Sequence, residues 1–143
     1  MDKVYIVYWS MTGNTEAMAQ AVADGVTDAG KEAVLRRVDE IGAAELSEQP
    51  AFALGCPAMG DEVLEEGDFE PFISDLESSL KGKKVGLFGS YGWGDGQWMR
   101  DWAERMEKAG AEVVGGEGVI CNDAPDDIAK AECSELGKTL AAL

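Results

Sequence analysis

The 143-residue chain has no histidine, which excludes any catalysis that depends on imidazole. Basic residues are scarce as well: 12 Lys and Arg stand against 28 Asp and Glu, a formal charge of −16. Such a surface repels nucleic acid and anionic membranes and attracts basic protein surfaces, and the same charge also serves solubility or a salty habitat. The cysteines, Cys56, Cys121 and Cys133, lie far apart, with none of the spacings that hold zinc or an iron–sulfur cluster, and an odd number suits no closed disulfide set. They read as reduced, buried thiols. No apolar run reaches the length of a membrane span, and residues 1–30 lack a charged start followed by a long apolar stretch and a cleavage site. The expectation is one cytoplasmic domain over residues 1–143, monomeric, without nucleic-acid or membrane partners.

What the chain does have is alternation. Apolar and β-branched runs recur at 4–9, 33–38, 51–56, 85–90 and 112–120, and helical spacing occupies 16–30, 70–82, 96–110 and 125–143. In the first helical segment Met18, Ala21, Val22, Gly25, Val26 and Ala29 form an apolar stripe fit to cover a sheet. Gly30, Gly82 and Gly110 stand where helices stop. This pattern predicts an α/β fold, a doubly wound parallel sheet with helices on both faces. Residues 39–50 fit either a short helix or an irregular crossover.

In such a sheet the ligand crevice lies at the carboxyl ends of the strands. The loops there are SMTGNT, PAMGDEVLEEGD and YGWGDG, following residues 9, 56 and 90. The first joins a strand to a helix and holds three hydroxyls (Ser10, Thr12, Thr15), the Asn14 amide and Gly13, but no lysine. A helix amino terminus binds an anion through unpaired N–H groups, so this loop reads as a nest for one phosphate, or more simply as a helix cap. The absent lysine argues against a nucleoside triphosphate. In the second loop Gly60 and Asp61 suit the centre of a tight turn whose peptide can turn over, Met59 can lie against a ring, and Glu62 can accept a ring N–H. In the third, Trp93 between two glycines reads as a flat lid, whereas Trp98 and Trp102, four apart on a helix, read as core. A phosphate nest, a switchable peptide and an aromatic plate together suit a flat redox heterocycle bearing one phosphate.

The stretches VYWSMTGNTEAMA, LGCPAMGDEVLEE, FEPFISDL and GKKVGLFGSYGWGDGQWMRDW resemble the short-chain flavodoxins of anaerobic bacteria over nearly the whole chain. The resemblance implies a five-stranded flavodoxin-like sheet of order 2-1-3-4-5 and flavin mononucleotide (FMN) as cofactor. It implies that Ser10, Met11, Thr12, Gly13, Asn14 and Thr15 surround the phosphate. Pro57, Ala58, Met59, Gly60, Asp61 and Glu62 then flank the ring, with the Gly60 carbonyl turning toward it. Ser90, Tyr91, Gly92, Trp93 and Gly94 line the other side, Trp93 opposite Met59. Two residues depart from the pattern: Met11 replaces a common glycine, and Pro57 stands where some relatives carry serine. Residues 115–127 match less well, and no contact is assigned to Asn122 or Asp123.

The implied function is one-electron transfer at low potential between redox enzymes, without substrate turnover. No Lys or Arg occurs between Lys3 and Lys31 or between Arg37 and Lys81, whereas Asp61, Glu62, Glu65, Glu66, Asp68 and Asp95 cluster near the site. That acidity disfavours an anionic reduced flavin and suits docking to basic surfaces of ferredoxin-type oxidoreductases and reductases. A flavin-dependent reductase would need a substrate space and a nicotinamide site, for which there is no spare chain. A receiver-like signalling module would need an acidic metal pocket where SMTGNT stands.

Overall fold

In the computed structural model, which describes residues 2–143, each apolar run becomes a strand. The strands are β1 (Lys3–Tyr8), β2 (Glu32–Arg37), β3 (Ala51–Gly55), β4 (Lys84–Tyr91), β5 (Glu112–Val113) and β6 (Val119–Asn122). All pair in parallel in the order β2-β1-β3-β4-β5, with β6 also alongside β4. Every residue of β3 is buried, as expected for a strand covered on both faces.

The fifth strand is not the continuous run expected over 112–120. Glu112 and Val113 pair with Lys84 and Val85, then pairing resumes with Val119 opposite Phe88. Residues 114–118 loop out where β4 advances only through Gly86 and Leu87. Gly115 and Gly116, both at φ 84°, make that detour, which an apolar reading of EVVGGEGVI overlooks.

The helices are α1 (Asn14–Asp28), α2 (Ala43–Leu46), α3 (Phe69–Leu76), α4 (Gln97–Lys108) and α5 (Asp127–Ala141). Residues 39–50 turn out to be both of the alternatives in part: a 3-10 turn over Val38–Glu40 and the four-residue α2, anchored by buried Ile41 and Leu46. Helix α3 is shorter than the 70–82 expected and continues as a 3-10 turn over Glu77–Ser79. The helix stops at Gly30, Gly82 and Gly110 have φ of 87°, 82° and 100°, as their assignment requires.

One face of the sheet is covered by α1 and α5, whose apolar stripes share a core with Ile6, Tyr8 and Phe88. Their backbones come so close that a Cβ on Gly25 would collide with the Ser134 carbonyl, and one on Gly137 with that of Val22. The other face holds α3 and α4, with Trp98 and Trp102 buried as the helical spacing predicts. Arg105 of α4 ties these two helices through paired 2.7 Å bonds to Glu70 and a further one to Glu77. Because the strands are parallel, the loops after β1, β3 and β4 open at one edge.

Candidate functional site

At the end of β1 the chain stays in the sheet for one more residue, the Trp9 N–H donating to the Gly55 carbonyl at 3.0 Å. It then turns, and the buried Ser10 hydroxyl accepts from the Gly13 and Glu16 N–H groups at 3.2 and 3.3 Å. Gly13 stands just before α1 at φ 93°, a conformation that favours glycine, and a Cβ there would meet nothing within 4 Å. The cap of α1 is therefore supplied by Ser10 rather than by the threonines or Asn14. The amino-terminal N–H groups converge on one hydroxyl, with open space beside Gly13.

Thr15, 1 % exposed, faces inward, its hydroxyl 3.4 Å from that of Ser90 and accepting from the Ser90 N–H at 3.4 Å. This contact, invisible in the sequence, locks the first loop to the third. The second loop is held in the same frame by the Ala58 N–H, which donates to the Ser90 carbonyl at 3.0 Å. The buried Cys56 carbonyl accepts from the Trp98 indole N–H at 3.2 Å.

Met59 and Val63 exchange both backbone bonds, at 2.8 and 2.9 Å, closing a three-residue hairpin over Gly60, Asp61 and Glu62. Gly60 has φ 51° and Asp61 is not in the left-handed region, so this tight turn carries its positive φ at Gly60. Glu62 is itself left-handed at φ 58°, which was not anticipated. Its carboxylate accepts the Gln97 N–H at 3.1 Å, at the start of α4, and fills the space beside Gly94, which sits at φ 89°. Glu62 thus strings the second loop to the third.

These loops enclose a cleft of about 210 Å³. Of the expected residues, Ser10, Met11, Thr12, Asn14 and Thr15 line it together with Pro57, Ala58, Met59, Ser90, Tyr91 and Gly92. Gly13, Gly60, Asp61, Glu62, Trp93 and Gly94 lie outside its wall, because they form turns beyond the strand ends. Trp93 is 64 % exposed. Trp9 and Asp123 also line the cleft and were not assigned to it. Trp9 reads as a strand residue, and Asp123 comes to the wall because β6 pairs with Ser90 and Tyr91, its N–H donating to the Tyr91 carbonyl at 2.8 Å. The Asn122 amide bonds the same carbonyl at 3.3 Å.

The acidic cluster is less uniform than its sequence. Glu65 caps α3, its carboxylate accepting from the Gly67, Asp68 and Phe69 N–H groups at 2.7–2.8 Å. Burial raises its pKa, but the three N–H groups together hold it below the usual carboxylate range. Asp95 is paired with Arg100 at 3.0 Å. A cation also stands nearer the first loop than chain spacing implied. Arg37 pairs with Tyr8 across β1 and β2 and reaches to 3.9 Å from Glu16.

Burial raises the thiols, Cys121 to about 11 and Cys133 to about 12, so both stay protonated at neutral pH, although Cys121 is only half-buried. Among the described residues no group of His, Cys, Asp and Glu is arranged to hold a metal ion, and no helix is long and apolar enough to cross a membrane.

The profile of one protein family, described as flavodoxin, matches residues 6–136. A flavodoxin from Clostridium beijerinckii is 51 % identical over 136 residues, 95 % of this chain and 97 % of that protein. One from Megasphaera elsdenii is 49 % identical over 138 residues, 96 % of this chain and 98 % of that protein. The solution structure of two-electron-reduced Megasphaera elsdenii flavodoxin superposes with a TM-score of 0.87 at 46 % identity, covering 98 % of this chain and 99 % of that one.

Proposed function

The chain belongs to the flavodoxin family, and from that premise we propose how its own residues serve the electron it carries. It is an FMN-bound electron-transfer protein with redox partners, and it turns over no substrate of its own. FMN, when bound, supplies a ring that accepts and releases electrons singly.

The observation that carries the residue assignment is the Ser10 turn. Two N–H groups of the α1 amino terminus converge on a hydroxyl beside a left-handed, unobstructed Gly13, inside a cleft also lined by Thr12, Asn14 and Thr15. With those two N–H groups held by Ser10, the set that remains, the Ser10 and Thr12 hydroxyls, the Asn14 amide and the helix dipole, fits a phosphate monoester, and the cleft gives the rest of a mononucleotide room to run toward Tyr91 and Met59. Met11 lines the cleft, yet it is 72 % exposed, so most of its side chain faces solvent.

At the ring end Met59 and Trp93 would flank the flavin, the Gly60–Asp61 peptide would present either its N–H or its C=O, and the Glu62 carboxylate would accept a ring N–H with the oxygen not engaged by Gln97. The unpaired acids of the rim, with Glu66 and Asp68 among them, hold the second reduction step at low potential and steer basic redox proteins to the cleft mouth. The protein acts in this reading as a cytoplasmic monomer.

Anaerobic reductive titration of the purified protein, followed in the visible, tests the assignment. The expected result is a yellow protein that passes through a long-lived half-reduced state with long-wavelength absorption. A protein that takes up two electrons in one step, with no such state, would overturn the role given to the Gly60–Asp61 peptide.

A further inference from the structure

Glu16 occupies a contradictory position. It is the third residue of α1, and its N–H points at the Ser10 hydroxyl where the phosphate nest lies. A carboxylate in a first helical turn is ordinarily favourable, because the dipole attracts it. Here the same dipole is what a phosphate dianion needs, so an unrestrained carboxylate would compete for it and repel the ligand.

The structure draws that carboxylate aside. The Tyr8 hydroxyl donates to Glu16 Oε2 at 2.7 Å, and Arg37 Nη1 lies 3.9 Å from the same oxygen. The guanidinium stands 5.9 Å above the centre of the Tyr8 ring, with Asp39 3.8 Å away on its other side. Burial, with Glu16 beside it, pushes the Tyr8 hydroxyl up to about 12, so it remains a donor at neutral pH.

The arrangement depends on strand register. Tyr8 lies opposite Arg37 in the β1–β2 pair, on the face that α1 covers, and the Arg37 N–H is fixed by the Glu40 carboxylate at 2.7 Å. A slip of one residue would offer Arg36, whose side chain belongs to the other face. The cation that the first loop lacks in sequence thus arrives from the neighbouring strand.

We propose that Arg37 and Tyr8 are positioning residues for phosphate recognition: they clamp Glu16, neutralise it, and so set the preference of this chain for FMN over the same flavin without its phosphate. The proposal rests on the placement of the phosphate at residues 10–15 given above.

The test is equilibrium titration of the flavin-stripped, full-length chain with FMN and, separately, with riboflavin, in the wild type and in Arg37→Gln, Arg37→Lys and Tyr8→Phe. Arg37 is 43 % exposed in its side chain and ends β2, so its substitution removes no fully buried side chain. Arg37→Gln should narrow the FMN-to-riboflavin affinity ratio by about 3- to 10-fold, entirely through weaker FMN binding and less so at high salt. Arg37→Lys should recover most of the ratio, and Tyr8→Phe should lose a smaller part of it. An unchanged ratio in Arg37→Gln, or equal weakening of both flavins, would overturn the proposal and leave Arg37 a structural role only. Should the wild type bind both flavins alike, the phosphate placement itself is wrong and the clamp falls with it.

Discussion

At the end of the cleft proposed for the phosphate the polar groups are built into the frame, whereas at the end proposed for the ring they stand clear of it. Ser10, Thr15 and Ser90 are each 9 % exposed or less, and they join three loops to one another and to α1. Trp93 is 64 % exposed, and the Gly60–Glu62 hairpin bonds mainly to itself and, through one carboxylate, to the start of α4. A phosphate keeps its charge throughout an electron-transfer cycle, so a fixed nest suits it. A flavin ring changes its charge or its protonation as electrons are added, so the groups beside it must be able to adjust. In the proposed placement the polar groups are interlocked where the ligand is constant and exposed where it changes.

The phosphate end should therefore depend on α1 staying seated, and the contact with α5 is where to unseat it. Gly137→Ala places a methyl group against the Val22 carbonyl, backbone that cannot give way. Overpacking of this kind should cost about 3 kcal/mol in urea unfolding, the largest effect expected of the substitutions considered. FMN affinity should fall with it, while the midpoint potentials of protein still loaded with FMN stay near those of the wild type. A potential that moved as far as the stability would blur the division between the two ends.

Thr15→Val tests the same end with less force. The shapes match, but Ser90 loses the hydroxyl that its N–H and its side chain both approach at 3.4 Å. These bonds are long, so the expected loss is about 1 kcal/mol, with FMN affinity down about fivefold. Unchanged affinity would mean that the Thr15 hydroxyl only packs.

How much of this was legible beforehand divides along the same line. Strand runs, helix stops and the two core tryptophans could be read because each rests on local periodicity or a single residue's φ. The detour at Gly115 and Gly116 is hidden because apolar pairs, Val113–Val114 and Val119–Ile120, flank it on both sides and suggest one strand. Most residues expected in the first loop do line the cleft, since a strand-to-helix turn confines them to a short arc. Asp123 and Arg37 were missed because strand pairing, not chain proximity, delivers them. Glu65 keeps the charge expected of it, but its capping role is not legible in the sequence, because an acid shortly before a helix reads as surface charge until its three N–H partners are seen.

At the ring end the comparison is sharpened by Gly60→Val. A Cβ at Gly60 meets nothing within 4 Å, so the substitution acts through φ alone and not through packing. Holding a branched residue at φ 51° should cost about 1 kcal/mol, which for one electron is about 40 mV. If the strain falls on one redox form only, the midpoint of the first electron should shift by that amount with little loss of FMN affinity, the reverse of the Thr15 result. An unmoved midpoint would detach the Gly60–Asp61 peptide from the redox step.

The smallest effect separates two neighbouring glutamates. Glu66 is exposed, so Glu66→Gln should raise the potential of the second electron by only about 10–20 mV at low salt, and by less as salt is added. Glu65→Ala should act on stability instead, because its carboxylate holds the start of α3. Its folded pKa lies below the ordinary 4.5, so its contribution is present above that value and is lost as the pH falls through the folded pKa. The deficit of Glu65→Ala in urea unfolding should therefore be full near neutrality and shrink in acid. A deficit that stayed constant into acid would mean that the Glu65 side chain holds α3 by packing rather than through its charged carboxylate.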